Sequence, residues 1–293
     1  MTSVTLSPTS VSIGHWTNRQ STSGCSVILF DRLTPAAVDV RGGAPGTRET
    51  ALLGSDKTVR AVDAILLTGG SAFGLAAADG VMRYLRERNR GYQTSVGPVP
   101  IVSAAVIFDL REGLAELPDA GAGYDACLDA MPLPTEFAGR IGGGAGATIG
   151  KLWGPDFRVP GGLGISTVQT DFGDVTAVLV LNAAGGPLGN DPNNRFSRHQ
   201  LFSAPAALEE RDSTAIGTII VHGISDHALL ERCAISAHDG LTRSIAPAHT
   251  VFDGDVFFAA GPNSGAPDRR AYLAVPTAAE VAVEQAIAGI LAL

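Results

Sequence analysis

The chain of 293 residues is 45% hydrophobic and 17% charged, enough to bury a sizeable core in one or two domains, and its β-rich pattern favours one. A formal net charge of −8, from 21 Lys and Arg against 29 Asp and Glu, argues against nucleic acid and against an anionic membrane surface as partners, since the one local basic cluster is RYLRERNR near position 86. The opening MTSVTLSPTSVSIG has neither a basic start nor an apolar block, and no later apolar run approaches the roughly eighteen residues of a membrane span, so a cytoplasmic location is expected.

In chain order, the segments CSVILF at 25–30, AAVDV at 36–40, AILL at 64–67, AAVIF at 104–108, VTAVLVLN at 175–182, AIGTIIVH at 215–222 and VFFAA at 256–260 read as strands. Many are apolar throughout, the pattern of sheets covered on both faces. A helix follows GGS at 69–71, runs through AFGLAAADGVMRYLRERNR and ends at Gly91, a glycine cap after basic residues. A second begins at Asp226 as N-cap and carries ALLERCAISAHDGLTRSI, in two pieces around Gly240. The last opens with the capping box Pro276, Thr277 and Glu280 and continues through EVAVEQAIAGILAL. Segment 184–212, rich in Gly, Pro and Asn, reads as an exposed linker leading to Thr214. Strands and helices segregate loosely, so layered α and β around a largely antiparallel centre fits better than a doubly wound parallel sheet.

Cys25, Cys127 and Cys233 are odd in number and far apart, and read as buried free thiols. The histidines form no metal motif, with His222, His227, His238 and His249 on different expected elements, so no metal or cofactor is expected. GGGAGATIGK at 142–151 fails as a phosphate loop, because Ala145 and Leu152 break the Walker pattern and LWGP follows where a dinucleotide-binding helix should continue. Its glycines could still let a backbone amide or Lys151 approach a substrate, although Lys151 alone reads as a solvated turn residue. In LLTGGSAFGL at 66–75, the helix end at Gly70 and Ser71 could hold a carboxylate, or Ser71 merely caps the helix.

The tetrapeptide Phe252-Asp253-Gly254-Asp255 reads either as a hairpin turn or, if extended, as two carboxylates on one face that raise each other's pKa and orient a proton donor. Thr214, in DSTAIGTIIVHG, is the candidate partner. A cut between Ser213 and Thr214 would free an α-amino group of pKa near ~8 within reach of its own hydroxyl, making Thr214 nucleophile and base in one residue. The bland alternative is a threonine opening a strand.

Taken together, VDVRGGAPGTRET at 38–50, LTGGSAFGLAAADGVMRYL at 67–85, VSAAVIFDL at 102–110, GAGATIGK at 144–151, VLNAAG at 180–185, STAIG at 213–217 and AHDGLTRSIAPAHTVFDGD at 237–255 resemble the self-processing aminopeptidase and amidase family. That family includes L-aminopeptidase/D-amidases, β-peptidyl aminopeptidases and nylon-oligomer hydrolases. The resemblance implies a four-layer α/β/β/α sandwich, the DmpA-like fold similar to ornithine acetyltransferase. It also implies a single catalytic domain that cuts itself into residues 1–213 and 214–293, and a homo-oligomer of four subunits or more. By residue matching Thr214 is the nucleophile, Asp253 and Asp255 orient it, and Lys151 and Asn182 are polar groups at the scissile bond, with Asn182 placed to hold an oxyanion. Gly70, Ser71 and Phe108 fall at the substrate.

Two departures matter. Ser213 stands where the family has Asn or Gly, and Gly217-Thr218 itself resembles a cleavage site, which makes Thr218 the runner-up nucleophile. Phe108 stands where some members carry Tyr, so substrate preference does not transfer. The implied activity is hydrolysis of small peptides or amino-acid amides through an acyl-enzyme. The alternatives are acyl transfer of the ornithine-acetyltransferase type and an uncleaved, non-catalytic binding protein.

Overall fold

The structure, a computed structural model, describes residues 10–110, 116–188, 213–262, 265 and 267–293. The principal strands are β1 (Val11–Thr17), β2 (Gly24–Val40), β3 (Ala61–Thr68), β4 (Val102–Val106), β5 (Glu136–Gly139), β6 (Gly162–Val168), β7 (Val175–Asn182), β8 (Thr214–Val221) and β9 (Val256–Ala260). The helices are α1 (Ser71–Gly74), α2 (Ala77–Glu87), α3 (Ala120–Leu128), α4 (His227–Ser244) and α5 (Ala271–Leu291).

One long strand ties the layers together. The first part of β2 pairs with β1 and β3, its register shifts between Leu29 and Thr34, and residues 36–40 then pair with β9. From β9 the sheet continues through β8, β7 and β6 to β5, while β3 leads the other way to β4. Most pairings are antiparallel; β8 with β9 and β3 with β4 are parallel. Side chains alternate across each strand, so each half of the sheet has two apolar faces to cover.

Three cores result. Ile28, Phe30, Ile65 and Leu67 of one half meet Val178, Val180, Ile216 and Phe258 of the other. On the outer face of the first half, Val27, Leu29 and Leu66 pack against Val81 and Leu85 of α2 and Ala126 of α3. On the outer face of the second, Leu179, Ile219 and Phe257 pack against Leu230 and Ala237 of α4 and Val283 and Ile287 of α5. The layers are therefore α/β/β/α, as the resemblance implied. The three cysteines are free and buried, as expected.

The helices depart from expectation in four places. The helix after Ser71 is broken into α1 and α2, and it ends at Glu87 rather than Gly91: Asn89 takes the left-handed conformation (φ 56°) and the Arg90 N–H reaches back to Leu85 O at 3.0 Å. Asp226 does cap α4, accepting from Leu229 N–H at 2.9 Å, but α4 runs unbroken through Gly240. There the absent side chain lets α5 approach, since a Cβ would lie 2.4 Å from Glu280 O. Finally, α5 starts at Ala271, with Pro276 inside it and the Thr277 hydroxyl donating to Leu273 O (2.8 Å) instead of forming a capping box. Contrary to the hydropathy reading, α5 is long and apolar enough by composition to cross a membrane, but half of its most apolar window is buried within this fold. The expected linker lies, from residue 189 to 212, outside the described residues; Gly186–Pro187 pairs with Ile245–Ala246.

Candidate active site

Thr214 is the first residue of β8, opposite Asn182 at the end of β7. Side chains of Thr214, Ile216 and Thr218 share the face directed between the two halves of the sheet. Thr214 sits at the mouth of that space, 5% exposed, and lines a cavity of about 290 Å³ with Ser71, Val106, Phe108, Ser213 and Phe252. Thr218 lies inside the core, opposite Val178 and Phe258, and its hydroxyl has no hydrogen-bond partner among the described residues.

The Asp253-Gly254-Asp255 segment does not close a hairpin. It runs beside the chain at 213–215, with Asp253 bridged in parallel to Ser213. The Gly254 N–H donates to Ser213 O at 3.0 Å, and the Thr214 hydroxyl donates to the same carbonyl. Gly254 has to be small, because a Cβ there would meet Ala44 O at 2.6 Å and Thr214 Oγ1 at 3.0 Å. Asp253 accepts from Ala184 N–H (3.0 Å) through Oδ1 and from the N–H and hydroxyl of Thr250 (2.9 and 2.6 Å) through Oδ2. Asp255 accepts from Ala215 N–H (2.7 Å) through Oδ1 and from the backbone N–H and ring Nδ1 of His249 (3.0 and 2.7 Å) through Oδ2. Burial, and after it the charge of Asp255, pushes the Asp253 carboxyl above its ordinary pKa, while its hydrogen bonds oppose the rise. The two carboxylates thus fix the backbone around Thr214.

Lys151 is not a solvated turn residue. It is 1% exposed, and its ammonium donates to both Asn182 O and Asn182 Oδ1 at 2.8 Å. Asn182 Oδ1 also accepts from Thr148 N–H (2.9 Å), and its amide nitrogen donates to Phe108 O at 3.2 Å. The Ser213 carbonyl thus receives the Gly254 N–H, while the side chain of Asn182, the expected oxyanion holder, engages Lys151, Thr148 and Phe108. The glycines at 142–146 serve close packing: a Cβ on Gly144 would lie 2.3 Å from Leu163 N, and one on Gly146 would lie 1.9 Å from Thr22 O.

At the β3–α1 turn, Gly70 N–H donates to Asp109 Oδ1 (2.7 Å) and Ser71 N–H to Ile107 O (2.9 Å). These amides are spent inside the fold, and Ser71 makes no side-chain cap; it remains a cavity wall, while Gly70 is not among the lining residues. Sequence reasoning assigned no role to Gly254, His249, Thr250 or Asp109. Gly254 and His249 did lie within the stretch that carried the resemblance. What hid His249 is its left-handed backbone (φ 56°), which folds it onto a carboxylate six positions on, outside strand or helix periodicity.

Residues 9–292 match the model of peptidase family S58. An uncharacterised aminopeptidase of Mycobacterium tuberculosis is 43% identical over 257 residues, covering 80% of this chain and 72% of the relative. A 6-aminohexanoate-oligomer endohydrolase of Kocuria sp. is 32% identical over 268 residues, 85% of this chain and 72% of that protein. Among solved structures, the L-aminopeptidase D-Ala-esterase/amidase of Ochrobactrum anthropi superposes with a TM-score of 0.74 at 18% identity, covering 97% of this chain and 84% of that one. The Burkholderia sp. β-aminopeptidase superposes with a TM-score of 0.71 at 20% identity, over 96% and 84% of the two chains. The chain belongs to peptidase family S58, and is an aminopeptidase of that family on an N-terminal-nucleophile hydrolase-like fold.

Proposed function

We propose that Thr214 is the nucleophile and that the chain activates it by cutting its own Ser213–Thr214 bond. The observation that carries this reading is the shared carbonyl: Ser213 O accepts from Gly254 N–H while the Thr214 hydroxyl lies against it, at the wall of a cavity. As Thr214 Oγ adds to the Ser213 carbonyl carbon, negative charge grows on an oxygen that already has a fixed N–H donor. Collapse breaks the C–N bond, leaves the acyl group on Oγ as an ester and converts the Thr214 nitrogen to an amine. Water then hydrolyses the ester and regenerates the hydroxyl.

The mature enzyme reuses both groups. The amine, with an ordinary pKa near ~8, accepts the hydroxyl proton as Oγ attacks an amide substrate and returns it to the departing amine. Asp255 holds the Ala215 N–H and Asp253 the Ala184 N–H, keeping the ends of β8 and β7 in place. Val106, Phe108 and Phe252 give the cavity apolar walls beside the polar Ser71, Ser213 and Thr214, and this mixed lining of small volume suits a compact acyl group, as in small peptides or amino-acid amides.

Intact-mass measurement tests the reading. The wild-type protein is expected as fragments 1–213 and 214–293, and Thr214→Ala as one chain without activity on aminoacyl anilides. Cleavage that persists in Thr214→Ala, or an active wild-type enzyme that remains whole, would refute it.

A further inference from the structure

Behind Asp255, on the side away from Thr214, lies a second titratable group that the reaction outlined above does not use. His249 presents both its backbone N–H (3.0 Å) and its ring Nδ1 (2.7 Å) to one oxygen, Asp255 Oδ2. Because a carboxylate oxygen can only accept, Nδ1 carries the proton of this bond. The φ of 56° at His249 is what turns both donors to the same side. The ring is itself held in place: His238 of α4 packs edge-on against it, centroids 4.8 Å apart, and also against Phe257 at 4.9 Å. His238 in turn bonds Asp39 O through Nε2 at 3.1 Å.

The groups facing this pair are few. His238 comes from α4, Asp39 from β2 with Arg41 on its carboxylate, and Asp253 and Asp255 from the loop before β9. Burial holds the His238 pKa down at about 4, so near neutral pH it adds no cation beside His249. The remaining oxygen of Asp255 holds Ala215 N–H, the peptide group immediately after the nucleophile. A continuous path of contacts thus leads from the His249 ring to the backbone of Thr214.

We propose that His249 is a positioning residue: by clamping Asp255 it fixes the carboxylate that holds the nucleophile's strand, and so sets the rate of self-cleavage and of turnover without touching substrate. This rests on Thr214 and Asp255 acting as described under the proposed function. Two substitutions separate its parts. His249→Gly keeps the left-handed backbone and its N–H but removes the ring, whereas His249→Asn tolerates that backbone and supplies an amide donor near the position of Nδ1.

The Gly variant is expected to process itself and turn over aminoacyl anilides about tenfold or more slowly, a loss in kcat with KM little changed. The Asn variant, which restores a donor to Asp255 Oδ2, recovers most of the rate. Wild-type kcat in a folded Gly variant would overturn the proposal, as would equal slowing of Gly and Asn, or a loss that falls on KM rather than kcat. Should the Gly variant not fold, 15N-histidine spectra of the wild-type enzyme decide: a protonated, hydrogen-bonded Nδ1 on His249 supports the clamp, and an unprotonated Nδ1 removes it. Full activity of Thr214→Ala would instead sink the underlying reading, whatever His249 does.

Discussion

Asp109 gives a stability prediction whose size and sign follow from its surroundings. It is 6% exposed, its Oδ1 accepts from Gly70 N–H, and the Ser23 hydroxyl lies beside its carboxyl. Burial pushes its carboxyl from 3.8 up to about 6, against the hydrogen bonds and the nearby Lys151 charge that favour ionisation. A carboxyl whose folded pKa lies above its unfolded value binds more protons when folded. Stability therefore falls as pH rises from about 4 to about 6, and above that window the ionised group destabilises by on the order of 2–3 kcal/mol. Asp109→Asn keeps an acceptor for Gly70 and removes the charge, so the variant is expected to melt higher at pH 7.5, by roughly 4–6 °C for a chain of this size. The gain closes toward pH 4. Thermal melts at a series of pH values, made in the Thr214→Ala background so that one chain unfolds, provide the measurement. A variant-minus-parent difference that stays flat from pH 4 to 8 would refute the argument, because only a titrating Asp109 can make it slope.

Thr218→Val removes a buried hydroxyl that has no partner among the described residues and should leave self-cleavage and activity intact while stabilising the fold by about 1 kcal/mol; loss of cleavage would transfer the nucleophile to that position. Lys151→Met deletes two donors to Asn182 and is expected to lower kcat by about 10²-fold with the protein still folded, read from steady-state kinetics beside a melting curve. Gly240→Ala places a Cβ 2.4 Å from Glu280 O and forces α4 from α5, which should cost about 1–3 kcal/mol in urea titration without altering the site.

What the sequence could reveal followed how local each cause was. Strands β7 and β9 match the segments read at 175–182 and 256–260 residue for residue, because both are apolar on both faces and sharply bounded. The strand β2 read as two pieces, since Asp31 and Arg32 are exposed where it passes from one half of the sheet to the other. β6 went unread: GLGISTV looks like turn chemistry, yet its Gly164 is there so that α5 can approach, with a Cβ only 2.6 Å from Ala286 O. The burial of Lys151 depends on Asn182, 31 positions away, and no local pattern announces it. Likewise Asp255 reaches Ala215, the residue after Thr214, only because β8 and β9 lie in parallel, so spacing alone could not join them and the resemblance across the whole chain had to.

The sheet also bears on why position 214, rather than 218, suits a self-made cut. The regular ladder between β7 and β8 begins with Asn182 opposite Thr214, so breaking the bond before Thr214 leaves every pairing from Thr214 to Val221 intact. A cut before Thr218 would divide β8 at its middle, between two hydrogen-bonded neighbours, where Gly217 faces Leu179 on one side and Phe257 on the other. Thr218 is fully buried, and the ester formed there would have no water to release it, whereas Thr214 borders a cavity. After the proposed cut, residues 214–293 would still be bound to the rest of the molecule through β8 on β7 and β9 on β2, with α4 and α5 sealing one outer layer. The new amine would then appear at the one place in β8 where it can be freed without unpairing the sheet, beside the two carboxylates that hold its neighbours.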